Sequence, residues 1–417
     1  MLHVTIDKKL QEKMGKWYSK PLYRKLVQRC IGREHYSCEK RMKRFIYSST
    51  SNDSSMSMEE EEEMKQVVSA NIPNDVLVDM LSRFPARALM RLKCVSKNWH
   101  SVIQDPVFVN LHLTLAKETG MGLIQILDDT GFRIYSIDDF GFATELHSLV
   151  TDNSYPHVPS CNGLLCFLDS SDDMLSFLDN SKEIRIRLCN PITGETMTIT
   201  KPYCFRRKTA GLGYDTCSQK YKVVCCSESE VEVYTLGSEF NSWRTIKCPS
   251  GFSINFLEKP IYSHGNLHWK ASLSDHANGF QQCAIIAFDM SDEKFSLFKG
   301  PDINIMNGNH WLCELEGSLS LVQTYEKKVI LWVLKDYEEQ EWMKKSVYRL
   351  PFYPSWPEGF MTIRNNKILF ESHEDECDYV CHYDEQGQLL KVIKVTGLPS
   401  SFKNYIDNHV KSLVSFK

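Results

Sequence analysis

The chain has 417 residues, room for two or three domains at roughly 150 residues each, and its 42% apolar residues suffice for more than one core. Lys and Arg total 49 against 53 Asp and Glu, so the net charge of -4 excludes a general electrostatic pull towards nucleic acid or an anionic membrane. No apolar run reaches the ~20 residues that cross a bilayer, and Asp7, Lys8 and Lys9 stand where a secretory leader needs its apolar segment. The expected setting is therefore the cytoplasm or the nucleus, with neither nucleic acid nor membrane as a partner. Fifteen cysteines without a repeated spacing read as reduced thiols buried as small hydrophobes.

Residues 1 to 50 hold thirteen Lys/Arg, from Lys8 to Arg44, against the acids Asp7, Glu12, Glu34 and Glu39, a local balance of +9. The stretch from Ser48 to Met64 (SSTSNDSSMSMEEEEEM) is too polar and too uniformly charged to bury a core. Residues 1–65 thus read as a basic arm and a disordered Ser/Glu linker. KRMKR at Lys40 to Arg44 has the composition of an import or nucleic-acid patch, although a solvated tail explains it more simply.

Order is expected from Ile72. In IPNDVLVDMLSRFP, apolar Val76, Leu77, Met80, Leu81 and Phe84 fall on one face of a helix that Pro73 and Asp75 favour at its start and Pro85 ends. A second helical pattern runs through ARALMRLKCVSKNWHSVIQDP, with Leu89, Leu92, Val95, Trp99 and Val102 spaced three or four apart until Asp105-Pro106 stops it. The simplest reading is a small bundle whose apolar residues form its own core. Against it, about 45 residues enclose too little volume to shelter a Trp and so many leucines without a partner.

The run from Ile72 to Leu113 resembles a plant-type F-box: a leading Ile72-Pro73 pair, a first helix ending in LSRFP, then KCVSKNWHSVIQDPVF ending near LHL. The resemblance implies docking on a Skp-type adaptor, and through it on a cullin and a ubiquitin-conjugating enzyme. Carried over by position, the adaptor-facing residues are Ile72, Pro73, Leu77, Leu81, Leu89, Leu92, Val95 and Trp99. Ile72 and Met90 stand where leucine is usual, both volume-conserving changes. The F-box is assigned to residues 66–115.

After Gly120 short β-rich runs alternate with turn residues to the end. A turn residue precedes a strongly apolar strand at Gly163, Gly265, Gly317 and Asn366, with spacings of 102, 52 and 49. The first gap is two periods of ~50, the period of kelch propeller blades, and GLGYDTCSQKYKVVCC fills the missing position. Each period supplies an entry strand, an apolar strand and two further strands, for example IRIRLCNP with TMTIT, or VILWVL with MKKSVYRL. Three candidates between residues 122 and 150 (GLIQIL, FRIYSI, ELHSLV) are expected to join the C-terminal HVKSLVSF in a composite blade that closes the ring. The fold class is α+β multidomain, with a small helical F-box followed by an all-β, kelch-like, six-bladed propeller over 120–417. A two-sheet sandwich has the same strand content, but the ~50-residue period favours the propeller. CNGLLCF, NPITGE, GLGYDTCSQKYKVV and VEVYTLGSEFNSWRTI also resemble the plant F-box-associated domain.

Signs of catalysis are weak, with no phosphate-binding loop, HExxH or GxSxG. On one strand Cys377 and Cys381 would lie about 13 Å apart, too far to share a tetrahedral metal, and Cys225-Cys226 read as one core and one surface residue. No cofactor or metal is expected. The reading is a non-enzymatic substrate receptor; the alternative is a ligand- or sugar-binding propeller, or a propeller enzyme, whose F-box serves only its own turnover. If strands a to d alternate in direction, the a-b and c-d turns share one face and the longer b-c and d-a loops share the other. Recognition is expected on the loop face, with Tyr203, Phe205, Phe252, Phe256, Tyr353 and Trp356 as target anchors. Loop acids Asp172, Asp173, Glu228, Glu230 and Glu374 to Glu376 would favour a basic rim on the partner.

Overall fold

The structure, a computed structural model, describes residues 74–416 apart from 120, 129–130, 139, 150–159, 170–182, 203–207, 228–229, 239–241, 248–258, 273–281, 305–307, 355–360, 365, 375–376 and 400–403. The basic arm, the Ser/Glu linker, Ile72 and Pro73 lie outside the described residues. The chain divides into two compact units, Met1–Leu115 and Ala116–Lys417.

In the first unit, helix α1 (Asn74–Ser82) buries Val76, Leu77, Met80 and Leu81 on one face, as the apolar spacing predicts, and Phe84 is buried just beyond its end. Pro85 then adopts extended geometry (φ -57, ψ 144) and α2 (Ala86–Leu92) follows. The second helical pattern is divided. Helix α3 (Lys97–Gln104) restarts behind Ser96, whose hydroxyl accepts a hydrogen bond from the Trp99 amide at 3.2 Å. A serine that satisfies a free amide at a helix start competes with continuing the preceding helix. Asp105-Pro106 ends α3 as expected, and it also opens α4 (Pro106–Thr119), a helix that the stop signal alone did not suggest. The Asp105 carboxylate accepts from the Val107 amide at 2.7 Å, and proline suits a first helical position because it has no amide hydrogen to leave unpaired. Buried His112 of α4 donates from Nε2 to the Phe84 carbonyl at 2.9 Å, and burial lowers its pKa against the opposing effect of that bond.

The second unit is an all-β propeller. Its strands are β1 (Met121–Asp128), β2 (Gly131–Ile137), β3 (Ala143–Leu149), β4 (Ser160–Cys161), β5 (Leu164–Asp169), β6 (Glu183–Asn190), β7 (Glu195–Pro202), β8 (Lys208–Asp215), β9 (Lys220–Ser227), β10 (Glu230–Thr235), β11 (Trp243–Lys247), β12 (Ile261–Ser263), β13 (Asn266–Ser272), β14 (Gln282–Asp289), β15 (Phe295–Asn304), β16 (Asn309–Leu315), β17 (Ser318–Tyr325), β18 (Lys328–Asp336), β19 (Glu341–Arg349), β20 (Met361–Arg364), β21 (Lys367–Glu371), β22 (Asp378–Tyr383), β23 (Leu389–Lys394) and β24 (Asn404–His409). Among the described residues they form six four-stranded antiparallel sheets. Five take their strands consecutively, β4–β7 through β20–β23, and the remaining one has the order β24-β1-β2-β3. The short strand β4 lies against β8, β8 against β12, β12 against β16, and β20 against β24, so sheets meet through their first strands at these places.

Strands inside a sheet are covered on both faces by neighbouring sheets, which is why β9 and β14 read as unbroken apolar runs. Val223, Val224, Cys225 and Cys226 are all buried, as are Cys283 to Phe288. This corrects the expected split of Cys225 and Cys226 into core and surface, because both faces of β9 meet protein. The glycine turns fit their sequence: Asn162-Gly163, His264-Gly265 and Glu316-Gly317 each place two successive residues at positive φ. That geometry matches the twist of a two-residue hairpin.

The closing strand differs from the sequence reading. Residues 404–409 pair with β1, Met121 opposite His409 and Ile126 opposite Asn404, so HVKSLVSF shares only His409 with the ladder. Beyond it Val410, Leu413, Val414 and Phe416 are buried without strand pairing. Asn190 donates its side-chain amide to the carbonyls of Ser412 (3.2 Å) and Val414 (2.8 Å). Ser415 donates to Glu195 at 2.9 Å. A Cβ at Gly163 would collide with the Val410 carbonyl and the Ser412 hydroxyl. The alternating pattern of HVKSLVSF therefore reflects a segment laid over the turns of β4–β7 and satisfied by side chains instead of a ladder.

Candidate functional site

In the helical unit most of the expected adaptor contacts are core. Leu77, Leu81 and Leu89 have 0% exposure, and Leu92 and Trp99 are buried as well. An apolar face at helical spacing has to be shielded from water first, and here the chain itself does so. Val95 is the one expected contact among the described residues that is half-buried and accessible. Val78, Met90 and Val102 are likewise half-buried, and on α4 Val107, Leu111 and Leu115 form an exposed stripe at four-residue spacing. The sequence pattern marked which residues are apolar, but not which remain on the surface.

In the propeller the turns β4-β5, β6-β7 and their equivalents share one face, and the b-c and inter-sheet loops share the other. The tight-turn face is built from side chains that cap their own backbone. Asp138, Asn190, Asp289, Asp336 and Asp384 each end the third strand of a sheet and accept from amides of the following turn, for example Asp289 from Ser291 (2.8 Å) and Asp292 (2.7 Å). This Asx at the end of strand c recurs near the ~50-residue period. It is a second repeat signal, independent of the glycines before strand b.

Two neighbouring sheets are joined on this side by a buried ionic cluster. Lys222 Nζ, with 6% of its side chain exposed, lies 2.8 Å from Asp215 Oδ2, 2.9 Å from Glu293 Oε1 and 2.6 Å from the Met290 carbonyl. Ser291 and Ser218 donate to Asp215 at 2.7 Å, and Arg244 pairs with Glu293. Burial alone would raise the Asp215 pKa, but hydrogen bonds from Lys222, Ser218 and Ser291 outweigh it and hold the carboxyl well below the usual range. Asp378 is the opposite case: burial first, then the Glu371 charge, push its pKa up to about 7. His268, fully buried with Nε2 2.8 Å from the Tyr337 hydroxyl, is lowered to about 3 by burial. These groups are engaged in packing and interstrand bonding.

On the loop face, Tyr203, Phe205, Phe252, Phe256 and Trp356 lie outside the described residues, as do Asp172, Asp173, Glu228, Asp375 and Glu376. Glu230 stands opposite Lys247 in its ladder. Tyr353 is 49% exposed while its loop is pinned: its carbonyl accepts from the His373 amide at 2.8 Å, and Lys327 Nζ sits 4.4 Å from the ring centroid. Lys327 also donates to the Pro351 carbonyl at 3.1 Å and lies 3.5 Å from Glu374. Tyr325, at the end of β17, is 56% exposed on the same face. It was missed because it reads as the last residue of an apolar strand.

The model of the F-box associated beta propeller domain matches residues 132–416, and that of an F-box-like domain matches residues 69–114. The chain belongs to the F-box proteins with an F-box associated propeller. F-box protein At3g57590 of Arabidopsis thaliana is 28% identical over 358 residues, covering 79% of this chain and 80% of its own length. F-box protein DOR of the same plant is 27% identical over 357 residues, covering 78% and 88%. TolB from Acinetobacter baumannii, a solved structure, aligns over 72% of this chain with a TM-score of 0.37 at 12% identity, too low to carry an argument. In this F-box protein the stretches that resemble the family are largely scaffold. CNG and NPITGE hold the C-terminal segment through Gly163 and Asn190, and GYD with KYK supplies Asp215 and Lys222.

Proposed function

We propose that this F-box protein is the substrate receptor of a Skp-cullin-F-box ubiquitin ligase, with the helical unit engaging a Skp-type adaptor and the propeller holding the protein to be ubiquitinated. The observation that carries this reading is the presence on one chain of an F-box-like module over 69–114 and a propeller over 132–416. The mechanism is proximity: holding a substrate lysine near the charged conjugating enzyme raises their effective concentration, and no residue of this chain acts on the thioester. We read the six sheets as the blades of one closed ring; the pairing of β24 with β1 and the contacts between first strands support this. The target docks on the loop face, a placement supported by the accessible Tyr325 and Tyr353 and by the C-terminal segment that covers turns on the other face.

The test has two arms. Charge placed at accessible helical positions, Met90→Glu with Val95→Glu, should abolish co-purification with the adaptor while the helices stay folded by circular dichroism. In cells, a propeller-bound protein should accumulate when this variant replaces the wild type. Adaptor binding at wild-type yield, or unchanged levels of every captured protein, would overturn the reading.

A further inference from the structure

At the loop-face end of the β16–β19 sheet three exposed side chains stand in one row. Tyr325 pairs with Lys328 across β17 and β18, and Lys328 pairs with Arg349 across β18 and β19. Directly paired residues share a face of the sheet, so two cations stand side by side beside a tyrosine ring. Neither the Lys328 nor the Arg349 side chain makes a hydrogen bond or ion pair with a described residue, and Glu326, exposed at the adjoining turn, pairs with neither.

Like charges directly opposite each other destabilise a ladder unless other groups offset them. At the other end of the same sheet Asp336 faces Glu341, but there Lys335 donates to both Glu341 oxygens at 3.1 and 3.2 Å and Asp336 caps the Glu339 amide. Of these two like pairs, the one at the loop-face end has no offsetting group among the described residues.

We infer that the row Tyr325, Lys328 and Arg349 is a docking strip for an acidic, extended segment of the target protein. The inference rests on the substrate-receptor reading and gives its loop face a partner chemistry. Neighbouring strands lie about 4.8 Å apart, so the row spans roughly 10 Å, and carboxylates at alternate positions of an extended segment, roughly 6.7 Å apart, reach both cations. The tyrosine adds a flat, amphipathic contact at the end of the row. At this sheet the selection is for acid, beside the basic rim that the acidic loops would favour elsewhere on the face.

The experiment uses the full chain bound to its adaptor and measures fluorescence anisotropy of a labelled peptide of alternating glutamate and serine. A peptide with glutamine in place of glutamate, and one with phosphoserine in place of serine on the glutamine background, complete the set. The glutamate peptide should bind, weaken as salt screens the charges, and lose at least about tenfold in affinity when Lys328→Glu and Arg349→Glu are combined. Lys328→Glu alone should weaken binding while raising the melting temperature, because it turns a like pair into an opposite one; a merely structural pair would give the second effect without the first. Equal binding of the glutamate and glutamine peptides, or full binding by the double variant, overturns the inference. Binding of the phosphoserine peptide alone overturns the carboxylate as the recognised group. None of these results bears on whether the F-box is needed for target turnover, so the two readings fail separately.

Discussion

On the tight-turn face of the propeller, polar side chains turn back on their own chain: Asn190 holds the C-terminal segment and Lys222 sits within Asp215, Glu293 and the Met290 carbonyl. On the loop face, Tyr325 and Tyr353 leave about half their surface to water, and Lys328 and Arg349 stand together with no acid paired to them among the described residues. The first face lowers the free energy of the fold by pairing the polar groups that cap its turns. The second leaves interaction capacity that only another molecule can use. Recognisable sequence stretches cluster on the first, since hairpin and Asx geometry restrict residue choice, whereas an exposed side chain is hardly restricted by the fold.

If that contrast is right, substitutions on the tight-turn face act on stability and those on the loop face on binding. The largest effect should come from deleting residues 410–417 with β24 left intact. Four buried apolar side chains and the partners of Asn190 are lost, for a cost of about 5 kcal/mol or more in urea unfolding. A truncated chain that unfolds at the wild-type urea midpoint would show that β24 alone closes the propeller. Next, Lys222→Met leaves two carboxylates around an uncharged side chain and should cost about 3–5 kcal/mol. Adding Asp215→Asn should recover part of it, and failure to recover any would remove the ionic account. Asn190→Ala should cost about 2 kcal/mol, read by the same unfolding curves.

A pH measurement sharpens the comparison within the core. Because the folded pKa of Asp378 is raised to about 7 from 3.8, its protonated form is favoured by folding. That contribution is full below pH 3.8, declines as the unfolded chain ionises, and is gone once pH passes about 7. Asp378→Asn should therefore melt higher than the wild type at pH 8 and lose that advantage at pH 4. Equal differences at both values would mean that the carboxyl is ionised throughout. The smallest effect is expected from Tyr325→Ala with Tyr353→Ala, within about 0.5 kcal/mol per site in stability, as at other exposed positions. A larger loss would move these tyrosines from the recognition surface into the scaffold.

Much of the architecture is legible in the sequence. The ~50-residue recurrence predicts four-stranded units because a strand period and a turn chemistry repeat together, and the apolar residues of α1 fall where helical spacing puts them. The closing strand was misplaced by a few residues because HVKSLVSF alternates as well as NYIDNH does, and alternation cannot tell a ladder from a segment held by side chains. Five of the six expected anchors fall outside the described residues, and the two exposed cations were invisible, since pairing across β18 and β19 joins residues 21 apart in the chain.

By itself the sequence determined the order of the modules, the repeat, and the identity of the apolar faces. These depend on local periodicity and backbone preference, which nearby residues set. Only the tertiary structure decided that Leu77, Leu81 and Leu89 are core while Val95 stays accessible, that Gly163 and Asn190 hold the chain's end, and that Lys328 and Arg349 share one face of a sheet. The physical reason is the same in each case. Burial and charge pairing depend on what lies across the sheet or beneath the helix, and that neighbour is distant in the chain.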